Sequence, residues 1–141
     1  MGLRGVLLAA LAAGARAWTA ADLPDPQTSP EACGRETTGW ICSPDALVSG
    51  ESLNVLEGTV RHIYAGKEPY TKLTCPENGD AVPAEVLVAV VRRVDGRGDA
   101  ERKVEAFARG LHNRFGVGTC GSGVVLALSV EDRHVRGTAH V

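Results

Sequence analysis

Apolar residues recur in three stretches, each with its own period. Leu53, Leu56, Val60 and Ile63 follow one another at helical spacing. Ser49 stands where an N-cap belongs, Glu51 falls in the first turn, and Gly66 can end that helix. Val86 to Val91 is continuously apolar and β-branched, the pattern of a strand buried on both faces. Beyond the turn Asp95-Gly-Arg-Gly98, Asp99 can cap a second helix, in which Val104, Phe107, Ala108, Leu111 and Phe115 form one stripe. Val124 to Val130 is a second buried strand. Strand, helix, strand over residues 86–130 predicts a right-handed βαβ crossover with parallel strands, and the first helix packs on the same sheet. The fold class expected is α/β: a small sandwich with a mostly parallel or mixed sheet flanked by helices.

The remaining segments carry weaker patterns. Residues 18–32 are rich in Pro, Asp and Thr and read as an extended lead-in. Residues 33–44 form a loop with a short extended piece at Trp40-Ile41, and 67–83 form a loop around Asn78-Gly79. The domain proper spans 33–133. Residues 134–141 are expected as a short frayed tail of a shortened chain, because Gly137 and a mixed polar run lack strand alternation, the alternative being a brief edge strand.

The N-terminus changes the setting. Arg4, the apolar run Val6 to Ala13 and the Ala15-Arg16-Ala17 triplet make up the parts of a signal peptide, residues 1–17. That run is far short of the ~20 residues that span a bilayer, and no second apolar run is long enough to act as an anchor. The expected location is secreted, or at the extracellular face of a membrane. Cys33, Cys42, Cys75 and Cys120 are then an even set for two disulfides, with three connectivities open. Cys33–Cys42 with Cys75–Cys120 is the expected pairing, clipping one short loop and one long one. With 15 basic against 17 acidic residues and no basic patch, nucleic acid is not an expected partner.

Gly116-x-Gly118-x-x-Gly121 has the spacing of a dinucleotide-binding loop. Its context is reversed: the glycines follow a helix and open a strand, whereas a phosphate cradle follows a strand and opens a helix. They are expected to cap and redirect the chain, with no nucleotide bound.

Trp40-Ile41-Cys42-Ser43-Pro44-Asp45-Ala-Leu47-Val-Ser49 resembles the opening of the TPM domain. Phe107-Ala-Arg-Gly-Leu111-His112, then Gly116-Val-Gly118-x-Cys120-Gly121-x-Gly123-Val-Val125-Leu and Ser129-x-Glu131-Asp132-Arg133, is similar to its animal, levamisole-receptor-modulator branch. Cys33-Gly34-Arg35 and the isolated Cys75 fit that branch too, so the resemblance runs from about Cys33 to Arg133. It implies an α/β sandwich and an extracellular auxiliary protein of acetylcholine-gated channels, whose partner is a membrane protein or receptor subunit. For the wider family it implies phosphatase activity and metal bound near acidic loops. Ser43 stands where many relatives carry an acid, Cys120-Gly121-Ser122 replaces another acidic or amide position, and no anchor helix follows Arg133.

The chemistry for a phosphatase is thin. Leu126 occupies the position where a Cys120-x5-Arg motif needs its arginine, and there is no Asp-x-Asp pair. A metal route would use Asp45, Asp95 and Asp132 as hard oxygen ligands, with calcium bound weakly and centred on Asp45. Asp99 has a capping role to fill. His112 lies at the edge of a buried helical stripe, where a histidine more often packs than catalyses. Ser122 lacks the strand-to-helix elbow that a nucleophile needs. The expected function is a secreted binding domain that modulates a membrane receptor, with no catalytic residues and no cofactor; the alternative is a metal-assisted, acid-phosphatase-like enzyme.

Overall fold

The computed structural model describes residues 16–66 and 72–139, so the expected signal peptide lies outside the described residues except for its last two positions. A 3-10 turn at Glu31–Cys33 precedes β1 (Ile41–Cys42), α1 (Gly50–Tyr64), β2 (Lys72–Thr74), β3 (Ala81–Pro83), β4 (Glu85–Val91), α2 (Ala100–Phe115), β5 (Gly123–Ser129) and β6 (His134–Ala139). The sheet order is β1-β4-β5-β6, with β1, β4 and β5 parallel and β6 antiparallel to β5. This is the expected α/β fold with a mixed sheet, and β4-α2-β5 is the expected crossover.

Alternation along β4 divides its side chains between two layers. Leu87, Ala89 and Val91 join Val104, Phe107, Leu111, Val125 and Ala127 in a core beneath α2. Val86 and Val88 point the other way, against Ile41, Leu53 and Val60 beneath α1. Both helices start as the sequence predicts: the Ser49 side chain accepts from the Ser52 N–H, and the Asp99 side chain from the Arg102 N–H. Leu111 is fully buried; truncating such a leucine to alanine costs about 2–5 kcal/mol.

Three segments differ from expectation. Residues 18–32 are no extended lead-in: Trp18 and Leu23 sit in the main core, and Arg114 of α2 donates to the carbonyls of Ala20 and Leu23. Gly110 permits this contact, because a Cβ there would lie 2.5 Å from that of Ala20. The loop 67–83 contains a hairpin, β2 against β3, turning at Gly79 with φ +75°. The tail is a strand. His134, Arg136 and Thr138 do alternate with Val135, Gly137 and Ala139, but the polar set faces a helix: Arg136 pairs with Glu101 and Glu105, and Thr138 meets His112.

Disulfides join Cys33 to Cys42 and Cys75 to Cys120, across 9 and 45 residues. On chain entropy alone the long bridge contributes about 4 kcal/mol and the short one about 3 kcal/mol. The long bridge ties the hairpin to the glycine turn before β5.

Because β6 covers the edge of β5, deleting residues 134–141 is expected to cost about 2 kcal/mol or more and to lower Tm by about 5–12 °C. Calorimetry on the truncated chain checks this; an unchanged Tm would mean that the strand contributes nothing.

Candidate functional site

In an open sheet with parallel strands, ligands gather at the carboxyl ends of the strands. Here that edge carries Ser43 to Asp45 after β1, Arg92 to Asp95 after β4, and Val130 to Arg133 after β5. Asp45 and Asp132 both stand at this edge, and both carboxylates accept hydrogen bonds from the protein. Asp45 accepts from the Trp18 indole Nε1 at 3.0 and 3.1 Å and from the Arg92 main-chain N–H at 2.7 Å. Asp132 accepts from Ser129 Oγ at 2.6 Å, the Val94 N–H at 3.0 Å and Lys103 Nζ at 3.2 Å.

Asp95 lies apart in function. It is exposed, and its Oδ1 accepts from the Gly96 N–H at 2.9 Å. Among the described residues, the one set of three potential metal ligands with donor atoms within 4.8 Å is Cys75, Glu77 and Cys120, and its two sulfurs are already bonded to each other. The three aspartates expected to hold calcium are not gathered into such a set. Ser43 is 1% exposed, and its Oγ has no hydrogen-bond partner among the described residues.

Burial raises the Asp132 pKa, but the bonds from Ser129, Val94 and Lys103 outweigh it and hold the carboxyl below its ordinary value. Glu57 is 4% exposed, a buried carboxylate that the helical pattern of α1 does not single out. It accepts from the Trp40 N–H at 3.0 and 3.2 Å and pairs with Arg61 at 3.3 Å. Gly39 makes room for it, since a Cβ there would lie 2.4 Å from its carboxylate. An acid on the apolar stripe of α1, four residues before Arg61, is the signal that the sequence carries for it.

A family model described as modulator of levamisole receptor-1 matches residues 18–133. The chain belongs to this family. No curated protein and no solved structure matches it. The match begins at Trp18, the residue whose indole closes on Asp45, so the levamisole-receptor-modulator domain includes the segment expected as a lead-in. The wider TPM relationship rests on the sequence resemblance alone.

The other positions singled out in this family member are built into the fold. Gly116 ends α2 in the left-handed region at φ +56°, and its N–H donates to the His112 carbonyl. Gly118 and Gly123 press main chain against main chain, with a Cβ on Gly118 only 2.0 Å from the Gly123 nitrogen. The loop is a chain reversal, as its order predicted. Ser122 is buried, and its Oγ accepts from the Thr119 N–H. His112 is buried against β6, with Nδ1 3.2 Å from Thr138 Oγ1.

The lowered Asp132 pKa gives a signed pH dependence. Its stabilising contribution is present above the unfolded value of about 3.9 and is lost as pH falls through the lower folded value. Urea denaturation from about pH 6 down to about pH 2 is expected to show a steep acid limb. In Asp132→Asn that limb should flatten, with lower stability near neutrality; an unaltered acid limb would contradict the assignment.

Proposed function

We propose that this chain is an extracellular binding domain that acts as an auxiliary or modulator of a membrane receptor, such as an acetylcholine-gated channel. The family match over residues 18–133 is the observation that carries this reading. Two disulfides support an oxidising, extracellular setting. Among the described residues no helix is long and apolar enough to cross a membrane.

The proposed contact surface is the part of the sheet that α1 leaves bare. α1 lies over β1 and β4, and the cross-strand register puts Val124, Leu126 and Leu128 of β5 on that same face. Opposite them on β6 stand Ala139, Gly137 and Val135. Val135 is 61% exposed and Leu126 is 39% exposed, with Leu126 lying over Gly137. A contiguous apolar strip on a stiff sheet suits association with another protein.

A metal-assisted phosphatase would need carboxylates with lone pairs to spare for the ion. Asp45 accepts from two protein donors, one of them shared between both its oxygens, and Asp132 from three, which favours the binding reading.

The purified chain, applied to cells expressing a levamisole-sensitive acetylcholine-gated channel, is expected to bind the cell surface and shift the agonist response. Val135→Asp should weaken binding about tenfold or more while leaving Tm unchanged. Absence of binding and of any current change, or metal-dependent hydrolysis of a phosphomonoester by the pure protein, would overturn the proposal.

A further inference from the structure

The segment between β4 and α2 contains Arg97, Gly98 and Asp99, a guanidinium and a carboxylate on either side of a glycine. Every residue from Asp95 to Asp99 is exposed. Both ends of the segment are held. At its start the Trp18 N–H donates to the Arg93 carbonyl and the Asp95 N–H to the Trp18 carbonyl, each at 2.9 Å. Val94 is 2% exposed, and its N–H is bonded to Asp132. At its other end Asp99 caps the sixteen-residue helix α2. The tip between these anchors turns through Gly96 at φ +144° and Gly98 at φ +96°, conformations that side-chain-bearing residues rarely adopt.

We propose that Arg97-Gly98-Asp99 is a docking site for a cell-surface adhesion receptor that takes the guanidinium in an acidic socket and the carboxylate on a divalent cation of its own. Arg97 is unused within the domain, and Asp99 is used through one oxygen only. The Arg97 guanidinium makes no ion pair or hydrogen bond among the described residues. Asp99 uses Oδ1 for the Arg102 N–H at 2.9 Å, and its second oxygen has no partner among the described residues. One carboxylate oxygen is what a hard, oxygen-seeking cation needs from a ligand arriving from outside. Gly98 puts no side chain between the two charged groups, so a receptor surface can close on the main chain. A loop pinned at both ends loses less conformational entropy on binding than a free peptide does.

This site is separate from the apolar strip on β5 and β6. It requires the extracellular placement of the preceding reading but not the channel partner, and failure of one leaves the other standing.

A purely structural role for these residues predicts something different. Asparagine caps a helix about as well as aspartate, yet its neutral amide is a poor ligand for a divalent cation. Asp99→Asn therefore keeps the fold and removes the proposed cation ligand, and Arg97→Ala removes the other charge from a side chain that holds nothing in place. The probe is the purified ectodomain of an Arg-Gly-Asp-reading integrin loaded with Mn2+, with binding followed by surface plasmon resonance. The wild-type chain is expected to bind, to be released by a chelator, and to be displaced by a linear Gly-Arg-Gly-Asp-Ser peptide. Asp99→Asn and Arg97→Ala should each weaken binding about tenfold or more, with Tm unchanged. No binding by the wild-type chain, or binding that survives either the chelator or Asp99→Asn, would overturn the proposal.

Discussion

Where β4 leaves the sheet at Val91, the next main-chain N–H groups have no strand to pair with, and two carboxylates accept them. Asp45, arriving from the end of β1, takes the N–H of Arg92; Asp132, arriving from the turn after β5, takes that of Val94. A buried N–H left without an acceptor costs about 1–3 kcal/mol. The same two residues then bind side chains from elsewhere: the Trp18 indole on Asp45, and Lys103 and Ser129 on Asp132. Three strand ends, the N-terminal segment and the first turns of α2 are thus fastened at two points. The edge where an α/β fold ordinarily holds its ligand is the edge this chain has closed.

The proposed recognition therefore falls on other surfaces. α2 is covered on its sheet side by β5 and β6, and it even supplies charged partners for the inward residues of β6. α1 is too far toward β1 to do the same for the opposite face, so a strip of valine and leucine stays in water. The loop from Val94 to α2, pinned by Trp18 below and by its helix cap above, projects the Arg97 guanidinium and the second carboxylate oxygen of Asp99, which the fold itself does not use. The long disulfide holds the hairpin β2–β3 against the glycine turn at the opposite end of β5.

The crossover was legible because its signals are local. An unbroken β-branched run, two capping residues and one helical stripe place β4, α2 and β5 without reference to anything distant, and the cysteine pairing follows its expected course. What escaped is non-local. Trp18 and Leu23 carry no period, and their burial depends on Gly110 allowing close approach to α2. β6 hid because its polar residues face a helix and its apolar ones face water, the reverse of the usual sheet pattern. Glu57 broke a helical stripe for the sake of the Trp40 N–H, seventeen residues earlier in the chain. Asp45, Asp95 and Asp132 were recognisable as acids at loop positions, yet nothing in the sequence says which donors reach them. A carboxylate waiting for calcium and a carboxylate holding a main-chain N–H look alike until the fold is known.

The distinction is decided by the stability of Asp45→Asn in excess chelator. The amide retains one acceptor oxygen but turns an NH2 toward the donors of Trp18 and Arg92. Guanidinium denaturation should show a loss of about 1–3 kcal/mol relative to the wild-type chain, the same whether calcium is removed or supplied. Equal stability of the two proteins in chelator, together with calcium stabilising the wild-type chain alone, would show that Asp45 serves an ion and not the fold.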